Sequence, residues 1–266
     1  TMGIAEAQRQ SGELEDAIQT LRAAEPPDHS AMVWRQEALA GVLSQAGERD
    51  ATKAWSALAD MAEDEPELLS TALQGEAKQW LEGDAPDRAE ALFSDAVQVT
   101  SDPVARGWAQ LGRADALIAQ GKTDDAARLT ASLLQIDDAE VSLQATITLA
   151  RIAVTQGQWQ DAINLLEHTA PWQLGPGWDT TVADIRTQAH IGAGEVGMAT
   201  KTWRDLGARW PSEEEAQLPV MLGQARIAWV SGDMDEAKKF ANQAKLAAVD
   251  PAYKLQAEEL LLSMAQ

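Results

Sequence analysis

The chain has 266 residues, with 42 acidic against 21 basic side chains and a formal charge of −21 at pH 7, so most of its surface repels a nucleic-acid backbone. It contains no cysteine, which removes disulfides, thiolate metal sites and thiol catalysis without fixing a compartment. Its apolar runs are only a few residues long, too short to cross a membrane, and abundant Ala and Leu beside two Phe and one Tyr point to an all-α chain.

A glycine followed five residues later by an alanine recurs from end to end, at Gly12 and Ala17, Gly121 and Ala126, Gly157 and Ala162, Gly194 and Ala199, and Gly232 and Ala237. Looser copies stand at Gly47 with Ala51 and Gly83 with Ala89, so that successive glycines are separated by 35, 36, 38, 36, 37 and 38 residues. A period of this size predicts a stack of similar units, each burying its apolar flank against the next. Within a unit, helix A ends at the glycine, which accepts a left-handed conformation, and helix B carries the alanine about one turn in. Helix-A glycines at Gly3, Gly75, Gly112 and Gly223 mark close helix approaches.

The first hairpin is predicted over 1–25, the second over 31–64 and the third over 67–100. The fourth spans 103–136, the fifth 139–170, the sixth 179–210 and the seventh 213–249, with prolines at 26, 27, 66, 103, 171, 211 and 251 marking where helix B stops. Residues 251–266 form a single closing helix whose apolar face is Leu255, Leu260, Leu261 and Met264, introduced by an Asp250-Pro251 cap. All are read as one repeat domain, 1–266. Because the chain opens at Thr1-Met2 already in helix-A register, a longer parent chain is expected.

With these parts in place the chain resembles the tetratricopeptide repeat family. Leu39-Ala40 and Leu43 before Gly47, Ala77 and Trp80 with Ala89, Phe93 and Ala96, and Ala199, Trp203 and Pro211 fit the family's slots, and Trp159 takes a turn position that is often aromatic. The copies are degenerate: the period exceeds the family's roughly 34 residues, the helix-A Trp slot is mostly empty, and the second unit fits Ala51 or Thr52. Related helical-hairpin repeats share several of these features. The resemblance implies a right-handed α-solenoid of about seven antiparallel hairpins plus a capping helix, and a non-catalytic scaffold for a protein or peptide. The composition has a bacterial look.

The groove of such a scaffold is lined by one face of helix A. Projection from the turn glycines selects Trp34, Glu37 and Gln45 in the second unit and Trp108, Leu111, Asp115 and Ile118 in the fourth. It gives Gln144, Ile147 and Arg151 in the fifth, Asp184 and Gln188 in the sixth, and Leu222, Arg226 and Trp229 in the seventh. Trp34, Trp108 and Trp229 are the candidate anchors. The positions where relatives clamp a chain-terminal carboxylate are Gly41, Lys78, Asp115, Arg151, Gln188 and Arg226, which do not make that clamp. A groove of mixed charge with tryptophans suits a partner with apolar anchors and some basic residues. The acidity itself fits solubility, salt adaptation or a basic partner.

No cofactor, metal or catalytic set is expected. Gly121-Lys122-Thr123 lacks the glycine five residues earlier that a phosphate loop needs, and His29, His168 and His190 lie in different units without metal-ligand spacing. The break Pro171-Trp172-Gln173-Leu174-Gly175-Pro176-Gly177-Trp178 is read as a linker tucking its tryptophans back, or as a loop that could cap a ligand pocket. Two alternative functions remain beside the scaffold: a self-associating structural subunit of an envelope or secretion complex, and a ligand sensor using residues 171–178.

Overall fold

A computed structural model describes residues 2–248 and 251–265. Among the described residues fifteen α-helices follow one another and no strand occurs. Helices α1 (Met2–Gln10) and α2 (Leu14–Ala23) make the first hairpin, α3 (His29–Gln45) and α4 (Ala51–Met61) the second, and α5 (Pro66–Glu82) and α6 (Pro86–Val99) the third. The fourth pairs α7 (Pro103–Ala119) with α8 (Thr123–Ala131), prolonged by a 3-10 turn at Ser132–Gln135, and the fifth pairs α9 (Ala139–Thr155) with α10 (Trp159–Glu167). Then follow α11 (Pro176–Gly192) with α12 (Val196–Arg209), α13 (Glu214–Val230) with α14 (Met234–Ala247), and α15 (Pro251–Ser263) alone. The chain divides into two compact units, residues 1–145 and 146–266.

The hairpin turns explain the period. Gly12, Gly47, Gly121, Gly157, Gly194 and Gly232 all have positive φ, and in each case the next residue's amide reaches back to a carbonyl five residues earlier, as Glu13 does to Gln8 at 2.9 Å and Glu195 to His190 at 2.7 Å. The third hairpin corrects the sequence reading. Gly83 has φ −81 and merely ends α5, while Asp84 takes the left-handed position at φ 58, a conformation that Asp tolerates better than most side chains. Counted from Asp84, Ala89 is again the fifth residue on, and Ala17, Ala89, Ala126, Ala162, Ala199 and Ala237 are all fully buried. In the second hairpin Ala51, also fully buried, fills that slot.

Neighbouring hairpins are keyed together by aromatic rings set against glycines. The Trp55 ring of α4 covers Gly75 of α5, Phe93 of α6 covers Gly112 of α7, and Trp203 of α12 covers Gly223 of α13; a methyl group on any of these glycines would come closer than 3.0 Å to the ring. Trp159 does the same at Gly192. Gly3, on α1, has nothing within 4 Å. In the fourth hairpin the residue at the equivalent of Phe93 is Thr130, wholly buried and with its hydroxyl unpartnered among the described residues.

Polar contacts fix the joints. Asp28 and Asp102 cap α3 and α7 through the amides of Ala31 at 2.8 Å and Ala105 at 2.8 Å. Glu67, in the first turn of α5, accepts from the Thr100 hydroxyl and from the Ser101 amide at 3.0 Å in the α6–α7 joint, and these bonds to its ionised form hold its pKa below the usual carboxylate value.

The 171–178 break packs back instead of projecting. Pro171 is buried in a 3-10 turn at Pro171–Gln173, Gly175 adopts φ 122, and α11 already starts at Pro176, three residues before the predicted 179. The Arg209 guanidinium stacks 4.6 Å above the Trp172 ring. It also pairs with the Asp179 carboxylate, which accepts the Trp210 indole N–H at 2.9 Å. Three carriers of the break are thereby tied to one buried acid.

The closing helix is only partly as predicted. Ala257, Leu260 and Met264 are buried against α13 and α14, with Leu261 packed beside them, whereas Leu255 is 55% exposed. Asp250, the expected cap, lies outside the described residues.

Candidate functional site

Helix A of each hairpin carries three positions, 6, 10 and 13 residues before its left-handed residue, on one face. In the unit of residues 1–145 this face lines a cleft of about 600 Å³. Gly41 and Ser44 of α3, Thr71, Gln74 and Lys78 of α5, Trp108, Leu111 and Asp115 of α7, and Gln144 of α9 line it. Three of the predicted site residues, Trp108, Leu111 and Asp115, thus come together. Leu111 is 3% exposed and forms floor rather than grip, packed with Leu133, Val141 and Ala145. Trp108 is half-buried over that floor, while Lys78, Glu82 and Asp115 are exposed. The lining is mostly apolar with charges of both signs, as the sequence face suggested.

Trp34 occupies the same repeat position as Trp108 but lines a separate cleft of about 170 Å³ with Ala5, Arg9, Leu21 and Ala38. Glu37 lies outside both clefts, half-buried. Sequence reasoning missed Lys78 and Trp55 as lining residues. Lys78 shares the repeat position of Asp115, a signal that was present.

In the unit of residues 146–266 a second cleft, of about 330 Å³, gathers four more predicted residues: Arg151 of α9, Asp184 of α11, and Leu222 and Arg226 of α13. Arg226 pairs with Asp184 at 3.0 Å, and Gln188 donates to the same carboxylate at 2.7 Å. Leu222 is 4% exposed and forms the floor. Tyr253 and Gln256 of α15 complete the lining; they were missed because α15 was read as a cap, although it occupies the place of another helix A. Trp229, at the end of α13, is 36% exposed and lies away from this cleft.

A third cleft, of about 250 Å³, opens between α10, α11 and α12 and is lined by Glu167, Asp179, Arg186, His190, Lys201, Asp205 and Arg209 among others. Burial lowers the Arg186 pKa, and its guanidinium donates to the Leu166 carbonyl at the end of α10. His190 is 6% exposed with Nδ1 2.9 Å from Glu195, whereas His29 and His168 are exposed. Gly121-Lys122-Thr123 is an ordinary inter-helix turn, Lys122 preceding α8.

Helical hairpins closed by a left-handed residue and stacked ring on glycine define the tetratricopeptide type of helical repeat, and the chain is a protein of that class. The tetratricopeptide repeat family profile matches residues 117–185. No curated protein matches the sequence. Among solved structures, a tetratricopeptide repeat protein from Parabacteroides merdae ATCC 43184 superposes with a TM-score of 0.66 at 14% identity, over 100% of this chain and 97% of its own. PilW, described as a widely conserved type IV pilus biogenesis factor, superposes with a TM-score of 0.62 at 16% identity, over 86% of this chain and 98% of its own. At these identities the likeness is one of fold.

Proposed function

We propose that the chain is a non-catalytic scaffold that holds a protein or peptide partner in the cleft of residues 1–145. The observation that carries this reading is the cleft itself: about 600 Å³, open, mostly apolar, with the half-buried Trp108 ring available and charges only at its exposed edge. Such a surface takes an extended or helical segment whose apolar side chains enter beside Trp55 and Trp108, with a basic residue facing Glu82 and Asp115. Trp108 rather than Trp34 or Trp229 is then the principal anchor, because it alone of the three lies in this cleft.

The test is a peptide selected from a displayed library against the intact chain. Trp108→Ala is expected to weaken the selected peptide by about tenfold or more, and Lys78→Glu, at an exposed position that carries no packing, to change its affinity without altering the helical melt. Trp229→Ala should leave it unchanged. Retained affinity in both Trp108→Ala and Lys78→Glu, with the fold intact, would sink the proposal.

A second reading, self-association, draws support from α14 and α15, where Leu246, Leu255 and Leu262 are 86%, 55% and 66% exposed. Leu255 and Leu262 stand seven residues apart and share a helix face. Light scattering over a concentration series is expected to show an oligomer that Leu255→Glu with Leu262→Glu dissolves; a monomer at high concentration removes this reading.

A further inference from the structure

We propose that the cleft of residues 146–266 reads carboxylates, and that its occupant is an extended acidic segment of a partner chain contacting Arg151 and Arg226 through internal Asp or Glu side chains. The proposal rests on the scaffold reading but assigns a different unit and the opposite charge preference. Three observations carry it.

The first is the register of donors. Arg151, Gln188 and Arg226 each stand six residues before the left-handed glycine of their hairpin, Gly157, Gly194 and Gly232. The repeat therefore places two guanidiniums and a carboxamide at one level of α9, α11 and α13, and all three are exposed. The corresponding positions of the other unit, Gly41, Lys78 and Asp115, do not repeat this chemistry.

The second is a carboxylate already held in the row. Asp184 Oδ1 lies 3.0 Å from Arg226 Nη1, and Asp184 Oδ2 accepts from Gln188 Nε2 at 2.7 Å. Arg226 and Gln188 are thus positioned to grip a carboxylate between them, and Asp184 fills the grip from within the chain. Arg151 has no carboxylate within ion-pair distance among the described residues. A guanidinium offers five donors in a planar fork suited to bidentate carboxylate binding, and most of those of Arg151 and Arg226 remain for a partner.

The third is local charge. The cleft is lined by two cationic side chains and one anionic one within a chain of formal charge −21. Its floor adds a buried donor without an acceptor, the indole Nε1 of Trp203, beneath Gly223. Repulsion from the remaining acids is screened beyond about 8–10 Å at physiological salt, while contact pairs in the cleft are screened less. Because the donors are spread over three helices, they suit side chains spaced along an extended segment better than a single chain terminus.

The test uses fluorescence anisotropy at low salt with the whole chain and three labelled peptides: deca-glutamate with an amidated C-terminus, an amidated glycine–serine decapeptide, and the same glycine–serine peptide with a free C-terminus. Deca-glutamate is expected to bind and both others not to. Arg151→Gln with Arg226→Gln should weaken deca-glutamate by about tenfold or more, and Asp184→Asn, which frees the internal grip, should tighten it by about threefold. Lys78→Glu, in the other unit, should have no effect. Absence of deca-glutamate binding, equal binding by the double arginine variant, or selective binding of the free-terminus peptide would each overturn the proposal. If any of these occurs while a library-selected peptide still depends on Trp108, the scaffold reading stands and only this inference falls.

Discussion

Gly112→Ala is expected to lower stability by about 2 kcal/mol, against the gain of about 1 kcal/mol that the same change brings to an exposed helix interior. The added methyl would come closer than 3.0 Å to the Phe93 ring, and Phe93 is 1% exposed with no free volume to retreat into. Overpacking of this kind costs about 1–3 kcal/mol before any helix-propensity gain is counted. Gly223→Ala meets the Trp203 ring in the same way and should behave alike, whereas Gly41→Ala has nothing within 4 Å and should be neutral or stabilising. Urea midpoints followed by far-UV circular dichroism decide the point. Equal midpoints for Gly41→Ala, Gly112→Ala and Gly223→Ala would contradict the packing described.

Asp179→Ala carries the second large effect. Asp179 is 5% exposed, and its carboxylate serves both the Arg209 guanidinium and the Trp210 indole. Removing it leaves the indole N–H without an acceptor and Arg209 without its counter-charge, close to the mostly buried Arg186. Arg209 is 37% exposed on its side chain, so water recovers part of its loss, and the expected cost is about 2–3 kcal/mol. Asp179→Asn, which still accepts from the indole, should cost less. The readouts are the melting midpoint and a red shift of tryptophan emission as Trp172 and Trp210 loosen. An unchanged midpoint and spectrum for Asp179→Ala would show that the 171–178 segment is held by other contacts.

Much of this arrangement was legible in the sequence because its strongest marks are backbone requirements. A left-handed turn residue is costly for most side chains, so glycines reveal six of the seven turns, and the buried alanine five residues on confirms their register. The third turn was misplaced by one residue because Asp84 meets the same requirement through a tolerance that glycine counting does not see. The cleft-lining face was also legible: Trp108, Asp115, Arg151, Asp184 and Arg226 all fall on the predicted face because the turn fixes the helical phase.

What the phase did not give was depth and partition. Leu111 and Leu222 share that face but are floor, since each helix is pressed by its neighbours to a different extent. Trp34 has the register of Trp108 yet lines a separate, smaller cleft beside α1. The share of α15 in the second cleft was hidden because Tyr253 and Gln256 follow no turn glycine that would have set their phase. The 171–178 break was read as helix-breaking by its Gly-Pro-Gly core, but Pro176 at a helix start needs no amide donor and opens α11.

The central claim is that adjacent hairpins are locked by a ring seated on a glycine, which sets the helix-A spacing and so the clefts. A double-mutant cycle between Phe93→Leu and Gly112→Ala tests it most directly, because the smaller side chain makes room for the added methyl. The predicted result is a double variant more stable than the sum of the two single losses by about 1–2 kcal/mol. Strict additivity, within about 0.3 kcal/mol, would contradict it.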